Sequence, residues 1–174
     1  PIYCDNRKMI GYPAERKVVV DEFIKKLSEN NFDVVAGTAT AGIPWAAFIA
    51  WEMNKPMSYI SGEKKAHGAG RQIEGADFTG KKVIVIEDLI STGGSSIKAV
   101  EAARSEGAAS VEVVSIFSYE FDKAFKNFAD NNIPWESLSN FSALLELAIE
   151  EKYLTEEEAE IASSWNKNTD TWGR

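Results

Sequence analysis

Val83-Ile84-Val85-Ile86-Glu87-Asp88-Leu89-Ile90-Ser91-Thr92-Gly93-Gly94-Ser95-Ser96 is the stretch whose reading decides the fold. β-Branched residues run into two adjacent carboxylates, then into a turn of hydroxyls and glycines, then into a helical pattern. Lys82 to Ile86 reads as a buried strand, and Gly94 to Arg104 as a helix that stops at Gly107. In an open parallel sheet, ligands bind where strands end and helices begin. The turn from Ser91 to Ser96 offers backbone N–H groups and hydroxyls at a helix N-terminus, which suits a phosphate. Its glycines let the backbone come close to the anion. Glu87 and Asp88 would repel that phosphate, so their partners are neutral hydroxyls or a Mg²⁺ ion. If the strand continues through them, the two acids face opposite sides of the sheet. A phosphate beside a diol describes a ribose 5-phosphate.

Working outward, the chain alternates between two periods. Pro13 leads into a helix over Glu15 to Leu27, and Phe32 to Ala36 is a short buried strand closed by Gly37. Ile43 to Met53 is helical with Pro44 in its first turn, Met57 to Ile60 is a brief strand, and Val111 to Phe117 is another. This rhythm predicts an α/β fold, a parallel sheet with helices on both faces. After Tyr119 the pattern becomes helical over Phe121 to Asn131, Asn140 to Glu151 and Thr155 to Trp165. Thr155 and Glu158 form a capping-box pattern, and Glu156 to Glu158 suit that helix's positive end. Trp45 and Trp51 read as packing residues, and Cys4 as a small buried one. Ser61 to Phe78 is a long polar loop carrying Lys64, Lys65, Arg71 and the chain's one histidine, His67. Unstructured loops of that length are usually functional.

The 174 residues hold 19 Lys and Arg against 27 Asp and Glu, a net charge of −8, and the length fits one domain over 1–174. An acidic average argues against nucleic acid as a partner. One cysteine makes neither an internal disulfide nor a Cys-rich zinc site. The apolar runs are far shorter than the ~20 residues that cross a bilayer, and no signal segment opens the chain, so a soluble cytoplasmic protein with no membrane partner is expected. Two rival phosphate motifs fail. Gly37-Thr38-Ala39-Thr40-Ala41-Gly42 has the Walker spacing, but Ile43-Pro44 follows where Lys and Ser or Thr are required. Gly68-Ala69-Gly70 lacks the third glycine of a dinucleotide fingerprint.

From Glu87 to Ser96 the chain resembles the phosphoribosyl-diphosphate signature of type I phosphoribosyltransferases. More narrowly, Pro1-Ile2-Tyr3-Cys4-Asp5-Asn6-Arg7, Gly37 to Pro44, Met57-Ser58-Tyr59-Ile60, and Lys64-Lys65-Ala66-His67-Gly68 with Gln72-Ile73-Glu74-Gly75 resemble orotate phosphoribosyltransferases. The resemblance runs in order through the chain. It implies a type I phosphoribosyltransferase-like parallel-sheet core with a long flexible catalytic loop. It implies transfer of ribose 5-phosphate from phosphoribosyl diphosphate to orotate, with release of diphosphate, in pyrimidine nucleotide synthesis. It also implies a homodimer in which the loop reaches the neighbouring subunit's site.

Carried onto this chain, the resemblance gives catalytic roles to Lys65, His67 and Asp88. Lys64 or Lys65 supplies charge to the diphosphate, and His67 gives or relays a proton. Thr38, Ala39, Thr40, Ala41 and Gly42 line the diphosphate side. Ser91, Thr92, Gly93, Gly94, Ser95 and Ser96 hold the 5-phosphate, and Glu87 and Asp88 hold the ribose hydroxyls. Mg²⁺ arrives on the substrate near Asp88, without direct protein ligands.

The chain departs from the family at three places. Ser61 stands six residues before His67, where an Arg is usual, leaving Arg71, Lys64 or Arg7 as cations for the diphosphate. Tyr119-Glu120-Phe121 stands where some members carry an Arg after the strand, so orotate's carboxylate has no obvious partner. A Lys and Ser-Gly segment that precedes the Pro-Ile-Tyr run in the family is absent, so the natural chain is expected to be longer by a few dozen residues. Two other readings remain at this point, a purine phosphoribosyltransferase and a phosphoribosyl-diphosphate-sensing regulator that has lost catalysis.

Overall fold

β4 (Lys82–Ile90) is the strand around which the computed structural model is organised; the structure describes residues 3–62 and 72–169. It lies parallel to β1 (Val34–Thr38) on one side and to β5 (Ser110–Ser118) on the other. Outside these, β2 (Met57–Ile60) is parallel to β1 and β6 (Trp135–Asn140) is parallel to β5. β3 (Ile73–Gly75) closes the sheet antiparallel to β2, giving the order β3-β2-β1-β4-β5-β6.

Strand alternation builds a core on each face. Ile84 and Ile86 of β4 face α1 (Pro13–Leu27) and α2 (Gly42–Glu52), where they meet Phe23, Leu27, Trp45 and Ile49. Val83 and Val85 face the other way, toward α3 (Gly94–Ser105) and α4 (Asp122–Asp130), and pack on Val100, Ala103 and Phe128. Continuous apolar runs are what a sheet covered on both faces requires. A third, smaller cluster lies beyond the ends of the central strands. There Phe117, Tyr119, Phe121, Phe141 and Trp165 join α5 (Phe141–Glu150) and α6 (Glu156–Lys167) to the sheet. Tyr119 and Phe121 are stacked 5.2 Å apart, with Trp165 edge-on to both.

The α/β class and the helices on both faces are as expected, and four details differ. The sheet is mixed rather than wholly parallel, because the last part of the long polar segment forms β3 instead of remaining a loop. β4 runs four residues past Ile86, since its pairing with β5 continues to Ile90–Ser118 and the Tyr119 amide then donates to the Ile90 carbonyl. β6 was not expected, because Trp135-Glu136-Ser137-Leu138-Ser139-Asn140 is a mostly polar strand, with neither a buried run nor a clean alternation. Trp45 is fully buried as expected, but Trp51 is 84% exposed. Cys4 is half-buried, with its thiol donated to Asn6 Oδ1 at 3.1 Å. The capping box of Thr155 and Glu158 is present.

Candidate functional site

The site begins with the continuation of β4 through its two acids. Glu87 follows Val83 and Val85 and faces α3; Asp88 follows Ile84 and Ile86 and faces the 3₁₀ turn Asn6–Gly11. Both are buried, at 5% and 8% exposure, a costly setting for a carboxylate.

Glu87 Oε1 accepts hydrogen bonds from Ser95 Oγ at 2.8 Å and Ser96 Oγ at 3.2 Å. Burial pushes its carboxyl up to about 7, while the hydroxyls of Ser95, Ser96 and Thr38 favour the ionised form and nearby Asp88 disfavours it. Asp88 is also raised by burial, with the Arg7 guanidinium opposing. Arg7 Nε stands 3.8 Å from Asp88 Oδ2, and the Asp88 carbonyl accepts from Asn6 Nδ2 at 2.7 Å.

The turn Ser91–Gly93 joins β4 to α3. Gly93 has a φ of 79°, and a Cβ there would come within 2.7 Å of the Phe128 ring, so position 93 needs glycine on both counts. The first amides of α3, at Gly94, Ser95 and Ser96, have no acceptor within their own helix. Asn127 Nδ2 donates to the Thr92 carbonyl at 2.9 Å and ties the turn to α4.

A second loop, from the end of β1 into α2, lies beside the same strand. Thr38 Oγ1 donates to the Ile86 carbonyl at 3.1 Å, and the Ala39 amide donates to Ile60 at 2.9 Å. The Ala39–Thr40 peptide is cis. A Cβ at Gly42 would lie 2.2 Å from the Ile86 carbonyl oxygen, so this loop approaches β4 as closely as backbone can. A cleft of about 360 Å³ opens between Ser61 and Gly62 on one side and Gly94, Ser95, Lys98 and Ala99 on the other.

The fold thus brings together Thr38 to Gly42, Glu87, Asp88 and Ser91 to Ser96. Lys64, Lys65, His67 and Arg71 lie outside the described residues. One expectation is altered: the Ser95 and Ser96 hydroxyls are donated inward to Glu87, so Glu87 fastens the Ser91–Ser96 turn from beneath. Asn6 and Asn127 escaped the sequence reading, since each acts on a carbonyl far away in the chain, by 82 and 35 positions. Among the described residues, no three His, Cys, Asp or Glu side chains gather as a metal site, and no helix is long and apolar enough to cross a membrane. Two carboxylates between two loops with spare backbone donors can hold a polar, multiply charged small molecule by its hydroxyls and its anionic groups.

Comparison with known proteins agrees with this. The family described as "Phosphoribosyl transferase domain" matches residues 10–152. The chain is 45% identical to an orotate phosphoribosyltransferase of Coxiella burnetii, over 99% of this chain and 83% of that one. It is 48% identical to an orotate phosphoribosyltransferase of Streptococcus pneumoniae, again over 99% and 83%. The crystal structure of orotate phosphoribosyltransferase from Aeropyrum pernix superposes with a TM-score of 0.74 at 30% identity, covering 83% of this chain and 81% of that one.

Proposed function

The chain belongs to the orotate phosphoribosyltransferase family, and from that membership we infer that it is a pentosyltransferase. It moves ribose 5-phosphate from phosphoribosyl diphosphate to orotate, giving orotidine 5′-phosphate and diphosphate in pyrimidine nucleotide synthesis. The observation that carries the reading is the pair of buried acids at the end of β4, set between the Thr38–Gly42 loop and the N-terminus of α3. In the transfer, the bond from ribose C1 to the diphosphate oxygen breaks, a bond from C1 to the ring nitrogen forms, and the nitrogen's proton is lost. Positive charge grows on the ribose and negative charge on the departing diphosphate, so fixed dipoles and cations at those two places lower the barrier.

Each group has a part. The α3 amides and the Ser91–Ser96 turn hold the 5-phosphate, and Asp88 takes ribose hydroxyls at the end of β4. The Thr38–Gly42 backbone lines the diphosphate, with Lys64 and Lys65 adding charge and His67 a proton. Mg²⁺ belongs to this reading as an ion carried by the diphosphate, which it would neutralise as it leaves. The donors fit that manner of binding, since Mg²⁺ is usually bound through one or two carboxylates and substrate phosphates, and Asp88 is the acid at hand. A homodimer that shares the loop segment belongs to this reading, and the exposed apolar side chains Val18 of α1 and Trp51 of α2 would suit a second copy. A cytoplasmic location is in keeping with a single cysteine that has no internal partner.

Diphosphate release tests the reading on the full chain, with phosphoribosyl diphosphate, Mg²⁺ and each of orotate, uracil, hypoxanthine and adenine. Turnover with orotate alone is expected. Turnover with a purine base would move the assignment to a purine enzyme, and none with any base would leave a ligand-sensing protein.

A further inference from the structure

We propose that Arg7 receives the carboxylate of the pyrimidine substrate and so selects a carboxylated ring over a neutral one. The proposal rests on the orotate reading above and adds a residue to it. Arg7 is held in place by its neighbours. The Cys4 amide donates to Tyr119 Oη at 2.8 Å, the Cys4 thiol donates to Asn6 Oδ1, and Asn6 Nδ2 donates to the Asp88 carbonyl. These bonds fix the backbone before Arg7 across the ends of β4 and β5. The Arg7 side chain is 62% exposed, so its guanidinium stands at the rim, open to a ligand.

The substrate's chemistry points to the same place. Orotate's carboxylate is on the ring carbon next to the nitrogen that joins ribose C1, so it lies over the sugar edge that Asp88 is assigned to hold. A cation within ion-pair range of Asp88 is therefore positioned where that carboxylate arrives. At 3.8 Å from Asp88, Arg7 Nε makes no hydrogen bond there, and a guanidinium has five donors in a planar fork that matches a carboxylate. Among the described residues, the other candidates are worse placed. Tyr119-Glu120-Phe121, after β5, offers no cation. Lys98 lines the cleft beside Gly94 and Ser95, and Lys123 lines a hollow that Thr92 also lines, so both stand by the turn where the 5-phosphate is assigned.

Orotidine 5′-phosphate and uridine 5′-phosphate differ only by this carboxylate, so their binding to the full chain, measured by calorimetry, isolates it. Arg7→Gln is expected to weaken orotidine 5′-phosphate about 10- to 100-fold and to leave uridine 5′-phosphate within about twofold. Arg7→Lys, which keeps the charge and loses the fork, is expected to recover part of the preference. Equal weakening of both nucleotides, or an unchanged preference in both variants, overturns the proposal. An unsubstituted chain that binds the two alike overturns the orotate reading and this assignment together.

Discussion

Glu87 and Asp88 are one position apart on β4 and therefore face opposite sides of the sheet, Glu87 toward Ser95 and Ser96, Asp88 toward Arg7. Among the described residues no cation stands beside Glu87, and burial lifts it from an ordinary 4.5 to about 7. A carboxyl that titrates higher in the fold than in the unfolded chain binds its proton more tightly when folded. Its contribution to stability is full below about pH 4.5 and is lost as the pH rises through 7. Urea unfolding from pH 5 to 8 should show the natural chain losing up to about 3 kcal/mol against Glu87→Gln, which cannot ionise. Parallel pH profiles for the two proteins would remove Glu87 as the cause. The sequence revealed this acid pair because charge at the end of a buried run is conspicuous. It did not reveal the serine bonds, which depend on how the turn brings α3 back over the strand. The place of Arg7 was hidden likewise, since Asp88, 3.8 Å from its guanidinium, is far along the chain.

At the scale of elements, the β1–α2 loop and β4 constrain each other through Gly42. Ala at that position needs space already filled by the Ile86 carbonyl, and backbone oxygen cannot turn aside as a side chain can. Gly42→Ala is expected to cost about 1–3 kcal/mol of stability, seen as a lower Tm, and to raise the KM for phosphoribosyl diphosphate more than that for orotate. An unchanged Tm would mean that the loop has a second position to settle into. Elements with a strong period were legible: α1, α2, β2, α3 and the capped α6 lie close to where their patterns put them. Val34–Thr38 and Lys82–Ile90 both run past the apolar runs that end at Ala36 and Ile86, because ladder hydrogen bonds extend a strand whatever its side chains. β3 and β6 are the sheet's two edges, half-covered and polar, and only their neighbours make them strands.

For the whole molecule, a net charge of −8 says little about a site assembled from two carboxylates, backbone amides and a few cations. What the charge and the sheet leave visible is the α1–α2 layer, where Trp51 stands 84% exposed. If a second copy covers that layer, the 174-residue chain sediments at twice 19.2 kDa, and Trp51→Asp moves it toward 19.2 kDa without loss of helical signal. A variant that still sediments as a dimer would place the interface on another face.

The bonds from Cys4 to Tyr119 and from Asn6 to Asp88 span 115 and 82 positions. On the ribosome, the short segment from Cys4 to Arg7 emerges before its anchors and must wait. Its anchors exist only after β4 and β5 have been made and have paired. The bonds from Ser95 and Ser96 to Glu87 can therefore form while Arg7 and Asp88 are still apart.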